Sequence, residues 1–122
     1  MDRRQLTLVL GASEKAERYS NKAIQMLREH GYPVVAIGLR EGQVLDVPIM
    51  KEPPKDLSVD TVTLYLNPQN QLPHYQYLLS LNPRRIIFNP GTENPALIEL
   101  ANQKGIETLE ACTLVLLSTG QY

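Results

Sequence analysis

Short apolar runs alternate with helix-like segments along this chain, and this alternation constrains its fold more than any other feature. Residues 6–10, 34–37 and 85–88 have the length of strands and few polar interruptions. Nearly continuous apolar runs are typical of strands buried on both faces, which occur in parallel sheets covered by helices. The alternation therefore predicts an α/β fold with a parallel sheet.

Three helices are predicted from their composition and their end signals, over residues 21–30, 71–81 and 94–104. Ser20 is the expected N-cap of the first helix, and Gly31 is its expected C′ residue. Asn94 and Pro95 fit the N-cap and the first position of the last of these helices, and Gly105 fits its C′ position.

Further strands are predicted over residues 60–66 and 106–109. Residues 47–49 are expected to form a short edge strand, because a proline such as Pro48 is tolerated at a sheet edge but not in a central strand. Residues 111–117 fit either a short helix or a strand. About five parallel strands with intervening helices predict one Rossmann-like, three-layer α/β/α domain over residues 1–122.

The charge balance argues against two classes of partner. Twelve Lys and Arg residues against thirteen Asp and Glu residues give a net charge of −1. The adjacent basic pairs are only Arg3 with Arg4 and Arg84 with Arg85. Nucleic acids and anionic membranes are bound through clustered cations, so we expect neither as a partner.

The few cysteine and histidine residues limit the chemistry further. Cys112 is the single cysteine, which excludes an internal disulfide, and the two histidines, His30 and His74, are far apart. We therefore expect no metal site, a structural role for Cys112, a helix-cap role for His30 and a surface position for His74. The N-terminal apolar stretch is too short for a signal peptide or a membrane span, so we expect a cytoplasmic protein.

The loop after the first strand has the residues of a phosphate site. It offers a glycine, two hydroxyls and two cations before a helix: Gly11, Ser13, Lys15, Arg18 and Ser20. The free N–H groups and the positive dipole end of a helix N-terminus attract phosphate, and arginine adds a bidentate contact. The alternative interpretation is an ordinary strand-to-helix loop, which also needs a glycine and a capping serine.

A dinucleotide site is less well supported by this loop. Its single glycine, Gly11, does not match the three-glycine G-x-G-x-x-G spacing. The second strand is followed by Leu39 and Arg40 rather than directly by an acidic residue for a ribose hydroxyl. Arg40 favours a phosphorylated ribose, or else it is a solvated loop charge.

Two short motifs carry a family resemblance. One is the sequence Gly-Ala-Ser-x-x-x-x-Arg-x-Ser that begins at Gly11, and the other is Leu-x-x-x-Gly-Tyr-x-Val that begins at Leu27. The chain resembles the small stand-alone CoA-binding domain family, and it is also similar to the CoA-binding domain of the succinyl-CoA synthetase alpha subunit. The likeness covers nearly the whole chain and includes three later features: Asn67-Pro68, Asn89-Pro90-Gly91 and Cys112.

The resemblance implies a Rossmann-like fold that binds coenzyme A. It places the pyrophosphate against Gly11, Ala12, Ser13, Arg18 and Ser20. It places Leu39 and Arg40 near the adenosine 3′-phosphate. The pantetheine path would be lined by Asn67, Pro68, Asn89, Pro90 and Gly91.

The leading prediction is therefore a domain that binds CoA or acyl-CoA without catalytic residues of its own. Two alternatives stay open: an NAD(P)-binding protein or enzyme, and a ligand-free Rossmann scaffold for protein interaction. The acidic Glu14 and Glu17 beside the phosphate loop favour the scaffold. A homo-oligomer through the apolar residues 114–117, or a partner enzyme, also stays open.

Overall fold

Seven strands form a single sheet in the computed structural model, which describes residues 5–122. The strands are β1 (Thr7–Leu10), β2 (Val34–Ile37), β3 (Gly42–Val44), β4 (Val47–Met50), β5 (Thr61–Leu64), β6 (Arg85–Phe88) and β7 (Glu107–Glu110). The helices are α1 (Tyr19–Glu29), α2 (Pro68–Gln71), α3 (Tyr75–Leu81), α4 (Pro95–Gln103) and α5 (Thr113–Ser118), and a 3₁₀ turn (Leu72–His74) joins α2 to α3. The Arg3 and Arg4 pair lies outside the described residues.

The strand order is β3-β4-β2-β1-β5-β6-β7, and every neighbouring pair except β3–β4 is parallel. The chain starts in the centre of the sheet, builds outward through β2 and β4, and then builds the other half from β5 to β7. This confirms the predicted Rossmann-like α/β fold, with more strands than the approximate five expected.

Successive strand residues serve two different cores. Leu8 and Leu10 face α3 and α4, in a cluster with Phe88 and Leu97, whereas Val9 faces the opposite side. On that side the core contains Ile24 and Leu27 of α1 and Leu117 of α5, and these side chains are fully or almost fully buried. Because both faces are covered, the strands need continuous apolar runs, as the sequence has them.

Glycine ends two helices as predicted. Gly31 has φ +85°, and the N–H groups of Gly31 and Tyr32 donate to the carbonyls of Arg28 and Leu27. These two hydrogen bonds together form a Schellman motif. The same pattern follows α4 at Gly105, and the Oδ1 atom of Asn94 caps the start of α4 by accepting the N–H of Leu97.

Other element boundaries differ from the predictions. The strand that contains Pro48 is not at the edge, because β3 pairs with it on its outer side. Pro48 is tolerated there because it lies opposite Gln43, whose N–H points away from β4. The helix expected from residue 71 begins at Pro68, since Asn67 caps α2 by accepting the N–H of Asn70. The ambiguous tail is helical as α5.

The N-cap predicted for the first helix is wrong. Helix α1 begins at Tyr19, so Arg18 occupies the N-cap position and Ser20 is a buried residue of the first turn. Arg18 makes no side-chain hydrogen bond to the helix. The start of α1 therefore lacks the side-chain cap that a serine there would provide.

Candidate functional site

A cleft of about 380 Å³ lies at the carboxyl ends of β1, β5 and β6. Its lining comes from two separate parts of the chain: Gly11, Ser13, Arg18, Tyr19 and Ser20 on one wall, and Tyr65, Asn67, Pro90, Gly91 and Thr92 on the other. The strand order reverses between β1 and β5, and ligands of open α/β sheets bind in the crevice at such a switch point.

The N-terminus of α1 opens onto this cleft. Within residues 5–122 the backbone N–H groups of Tyr19 and Ser20 have no hydrogen-bond acceptor, and Arg18 supplies no cap. These N–H groups carry the positive end of the helix dipole. With the Arg18 side chain on the same wall, they form an anion-binding surface.

Two glycines allow the backbone to pass through this region. Gly11 has φ +98°, and a Cβ atom there would lie 3.0 Å from the backbone carbon of Tyr65. A Cβ atom on Gly38 would lie only 2.4 Å from the carbonyl oxygen of Ala12. Larger residues at either position would push the β1–α1 loop out of place, so both glycines shape the cleft wall.

Hydrogen bonds to β2, to α1 and within the loop itself hold the β1–α1 loop in place. The N–H groups of Gly11 and Ala12 both donate to the carbonyl of Ile37. The buried Asn21 donates its Nδ2 to the carbonyl of Ser13 at 3.0 Å. The Oγ atom of Ser13 accepts the N–H of Lys15, so this hydroxyl is oriented before any ligand arrives.

The opposite wall depends on a buried amide network. Gln71 is fully buried, and its Nε2 donates to the carbonyls of Leu66 and Thr92, at 2.8 Å in each case. Its Oε1 accepts Nδ2 of Asn94, which also donates to the hydroxyl of Tyr75. The network joins the loop after β5 to the loop after β6, and no sequence signal distinguished Gln71 from an ordinary helix residue.

Asn89 lies inside the protein rather than in the cleft. Its Nδ2 donates to Oγ1 of Thr63 and to the carbonyl of Leu64, and its Oδ1 accepts the N–H of Thr113. These bonds fasten the start of α5 to β5 and β6. The side chain of Asn89 is fully engaged within the interior, and the next three residues, Pro90, Gly91 and Thr92, line the cleft.

Tyr65 was not singled out by the sequence but lines the cleft. Its hydroxyl is buried and has no hydrogen-bond partner among residues 5–122. The hydroxyls of Thr63 and Thr113 lie near it but are bonded to each other at 2.8 Å. Burial raises the pKa of Tyr65 to about 12, so the phenol is neutral at physiological pH.

The cleft brings together seven of the thirteen predicted site residues: Gly11, Ser13, Arg18, Ser20, Asn67, Pro90 and Gly91. Ala12 is a buried residue of the β1–α1 loop. Lys15 and Pro68 are exposed, and in sequence they follow shortly after the cleft residues Ser13 and Asn67. Leu39 and Arg40 are exposed beyond β2, outside the cleft lining. Tyr19, Tyr65 and Thr92 line the cleft without having been predicted.

The remaining reactive side chains lie away from the cleft lining. The Nδ1 atom of His30 bonds the carbonyl of Met26 at the C-cap of α1, which confirms a cap role. His74 is half-buried in the 3₁₀ turn, and Cys112 is half-buried before α5. Within residues 5–122, no three His, Cys, Asp or Glu side chains are grouped as metal ligands. None of the helices in that range is long and apolar enough to span a membrane.

Comparisons with solved structures show the same fold. A crystal structure of an uncharacterized protein is 48% identical, with a TM-score of 0.94, over 99% of this chain and 100% of that one. A Thermus thermophilus protein, cell-free ID.343, is 20% identical with a TM-score of 0.85, over 98% and 91% of the two chains. A hypothetical protein from Pyrococcus horikoshii OT3 is 21% identical with a TM-score of 0.85, over 96% and 84%. No curated protein matches the chain.

The sequence of residues 5–118 matches the family described as CoA binding domain. The match includes both walls of the cleft and every element from β1 to β7. It agrees with the resemblance carried by the motifs at Gly11 and Leu27. The chain therefore belongs to the CoA binding domain family.

Proposed function

We propose that this chain binds coenzyme A or an acyl-CoA in the cleft between β1 and β5, and that it catalyses no reaction of its own. The observation that carries the proposal is the uncapped N-terminus of α1, which opens with Arg18 onto a cleft at the switch point of the sheet. Family membership makes CoA the ligand to test first.

The chemistry of the cleft fits the anionic part of CoA. A pyrophosphate needs N–H donors and cations, and Arg18, Ser13 and the first turn of α1 supply them. Within residues 5–122, Arg18 and Lys15 form no ion pair, so they are available for phosphate. At about 380 Å³ the cleft is at the small end of ligand pockets, so the rest of the molecule would extend along the surface.

Each end of the ligand has candidate contacts. In this proposal Gly11, Ala12, Ser13, Lys15, Arg18 and Ser20 hold the pyrophosphate. Leu39 and Arg40 lie toward the adenosine 3′-phosphate. Asn67, Pro68, Pro90 and Gly91 line the pantetheine path, and Asn89 supports that turn from the interior.

The absence of catalysis is part of the proposal. Its support is that the residues best suited to acid–base or nucleophilic chemistry, His30, His74 and Cys112, do not line the cleft. Tyr65 does line it, but a phenol with a pKa of about 12 is a poor general base at neutral pH.

Thermal unfolding with added CoA tests the proposal. A ligand at one hundred times its Kd adds about 2.7 kcal/mol to the free energy of unfolding, so Tm should rise clearly. The Arg18→Ala variant should bind CoA at least about tenfold more weakly, because a charge-assisted hydrogen bond is lost. Lys104→Ala removes the same charge at the C-cap of α4 and should bind as the unsubstituted protein does.

Two further ligands and a mass measurement separate the alternatives. The fragment 3′,5′-ADP should raise Tm less than CoA, and NADPH should compete weakly. Native mass spectrometry of freshly purified protein should show the mass of CoA or an acyl-CoA. Failure of millimolar CoA to change Tm would contradict the proposal, and stronger binding of NADPH would favour a nicotinamide dinucleotide instead.

A further inference from the structure

Glu14 connects the β1–α1 loop to the outer edge of the sheet. Its Oε2 accepts the backbone N–H of Gln43 in β3 at 2.8 Å. Gln43 lies on the edge strand, and its N–H points away from β4, so Glu14 occupies the position that a further strand would take. Glu14 does not line the cleft.

Gly42 makes room for this contact. A Cβ atom on Gly42 would lie 2.3 Å from the carboxylate carbon of Glu14 and 2.7 Å from its Oε2. The backbone of Gly42 is not in the left-handed region, so another residue is conformationally allowed there. The glycine therefore leaves space for the carboxylate rather than for an unusual backbone angle.

The Glu14–Gln43 hydrogen bond, called the tether below, acts on the part of the loop that has the fewest other hydrogen bonds to the rest of the fold. Gly11, Ala12 and Ser13 are fixed to β2 and to Asn21. Beyond them, within the described residues, the Glu14–Gln43 bond is the one hydrogen bond from residues 14–17 to another element. Arg18 follows directly: its carbonyl accepts the N–H groups of Asn21 and Lys22 in α1, and the residue lines the cleft, so the tethered loop leads straight into the start of α1.

We infer that Glu14 is a positioning residue for the cleft, which sets the place of Arg18 by tethering the loop to β3, with Gly42 as the space that permits it. The inference rests on the proposed function for its effect on CoA. It also gives a structural reason for an acidic residue beside a phosphate loop: the carboxylate is hydrogen-bonded at the sheet edge and does not line the cleft.

Amide hydrogen exchange in the ligand-free protein tests the tether directly. In Glu14→Ala and in Gly42→Ala, the N–H of Gln43 should exchange at least about fivefold faster, because its acceptor is removed or displaced. The N–H of Arg18, which bonds the carbonyl of Lys15, should also exchange faster as the loop loosens. Glu14→Gln keeps an acceptor oxygen and should restore most of the protection.

CoA affinity provides the second readout. Glu14→Ala and Gly42→Ala should each weaken binding by about fivefold, and the double variant should bind no more weakly than Glu14→Ala alone. The double variant is decisive because the added methyl group displaces nothing once the carboxylate is gone. Glu17→Ala is the matched control, since it removes the same charge from the same loop without a tether.

The outcomes are distinguishable from those of the proposed function. If CoA fails to bind the unsubstituted protein, the proposed function fails, while exchange at Gln43 and Arg18 still decides whether the tether holds the loop. Unchanged exchange at Arg18 in both Glu14→Ala and Gly42→Ala would overturn the inference. So would additive effects of the two substitutions on affinity, or an effect of Glu17→Ala equal to that of Glu14→Ala.

Discussion

At the scale of single residues, Tyr65 is the residue of the cleft wall whose hydroxyl group is buried and unsatisfied within the described part of the chain. Tyr65 lines the cleft, while its hydroxyl is buried without a hydrogen-bond partner among residues 5–122, beside two threonine hydroxyls that bond each other. A buried donor without an acceptor costs about 1–3 kcal/mol. The unpaired hydroxyl therefore lowers the stability of the protein at a residue of the cleft lining.

Tyr65→Phe should consequently stabilise the free protein by about 1 kcal/mol, because the unpaired hydroxyl is removed. Urea unfolding measures this change. Tyr77→Phe is the matched control, since the Tyr77 hydroxyl donates to the carbonyl of Pro54 at 2.7 Å and its removal should lower the free energy of unfolding. Equal destabilisation by both substitutions would show that the Tyr65 hydroxyl is satisfied in solution.

Single residues also show which parts of the cleft lining the sequence could predict. Gly11 and Arg18 could be found because a strand, a glycine and a cation before a helix form a local pattern. Ser20 was assigned to the wrong position for a related reason: serine is a strong cap signal, and nothing local revealed that α1 begins two residues earlier than predicted, at Tyr19. The uncapped start of the helix, which matters most for anion binding, is visible only in the fold.

At the scale of elements, the buried amide network around Gln71 holds the far wall of the cleft. Gln71 is in the last position of α2, between the loops that follow β5 and β6. Because its two carbonyl acceptors belong to different loops, the network fixes the distance between those loops. The two loops in turn supply Asn67 and Gly91 to the same wall of the cleft.

Gln71→Leu should lower the free energy of unfolding by about 2–4 kcal/mol, because it keeps the side-chain size but leaves the carbonyls of Leu66 and Thr92 without their donor. Chemical denaturation measures the loss. Gln69→Leu, an exposed position of the same short helix, should change stability by less than about 0.5 kcal/mol. Similar values for both variants would contradict a structural role for the network.

Element prediction failed where the signal was not local. Strand β3 has only three residues, Gly-Gln-Val, without an apolar run, and the turn that joins it to β4 places Leu45 at φ +53°. Leucine rarely adopts that conformation, and the Asn-Gly pair that usually indicates such a hairpin turn is absent here. The tail at residues 111–117 was ambiguous because one contact at its start is not local in sequence. Asn89, just after β6, supplies the acceptor for the N–H of Thr113 at the start of α5.

At the scale of the whole molecule, folding lowers the pKa of three groups within residues 5–122. Asp46 is exposed beside Arg28, and the other two, His74 and Asp60, are half-buried and should make stability depend on pH. Burial lowers the pKa of His74 below its ordinary value of 6.5. For Asp60, burial alone would raise the pKa, but hydrogen bonds from Arg84 and Thr61 outweigh it and hold the pKa below 3.8. In both cases the unfolded chain binds protons at a higher pH than the folded protein does.

The free energy of unfolding should therefore fall in two stages on acidification. The contribution of His74 is present above about pH 6.5 and decreases below it, and that of Asp60 is present above about pH 3.8 and is lost as the pH falls through its folded pKa. Urea midpoints measured across this range test the prediction. His74→Gln should remove the first stage and leave the second, and a single transition in the unsubstituted protein would contradict it.

Much of the overall architecture could be predicted because apolar runs and glycine-terminated helices repeat along the chain. The parallel sheet and the helix ends at Gly31 and Gly105 follow from such local patterns, whereas the strand order does not. The second wall of the cleft could not be predicted in the same way. Tyr65, Gln71 and Thr92 look ordinary in sequence, and they meet only because parallel strands bring their following loops to one edge.

The reversal of strand order at β1 has a consequence for how the molecule could be divided. One contiguous stretch, up to β4, supplies one wall of the cleft, and the stretch from β5 onward supplies the other. The partly exposed connection at residues 51–58 joins them covalently. We expect a chain cut there to give two fragments, each with one wall of the cleft, and a ligand that contacts both walls should promote their reassembly.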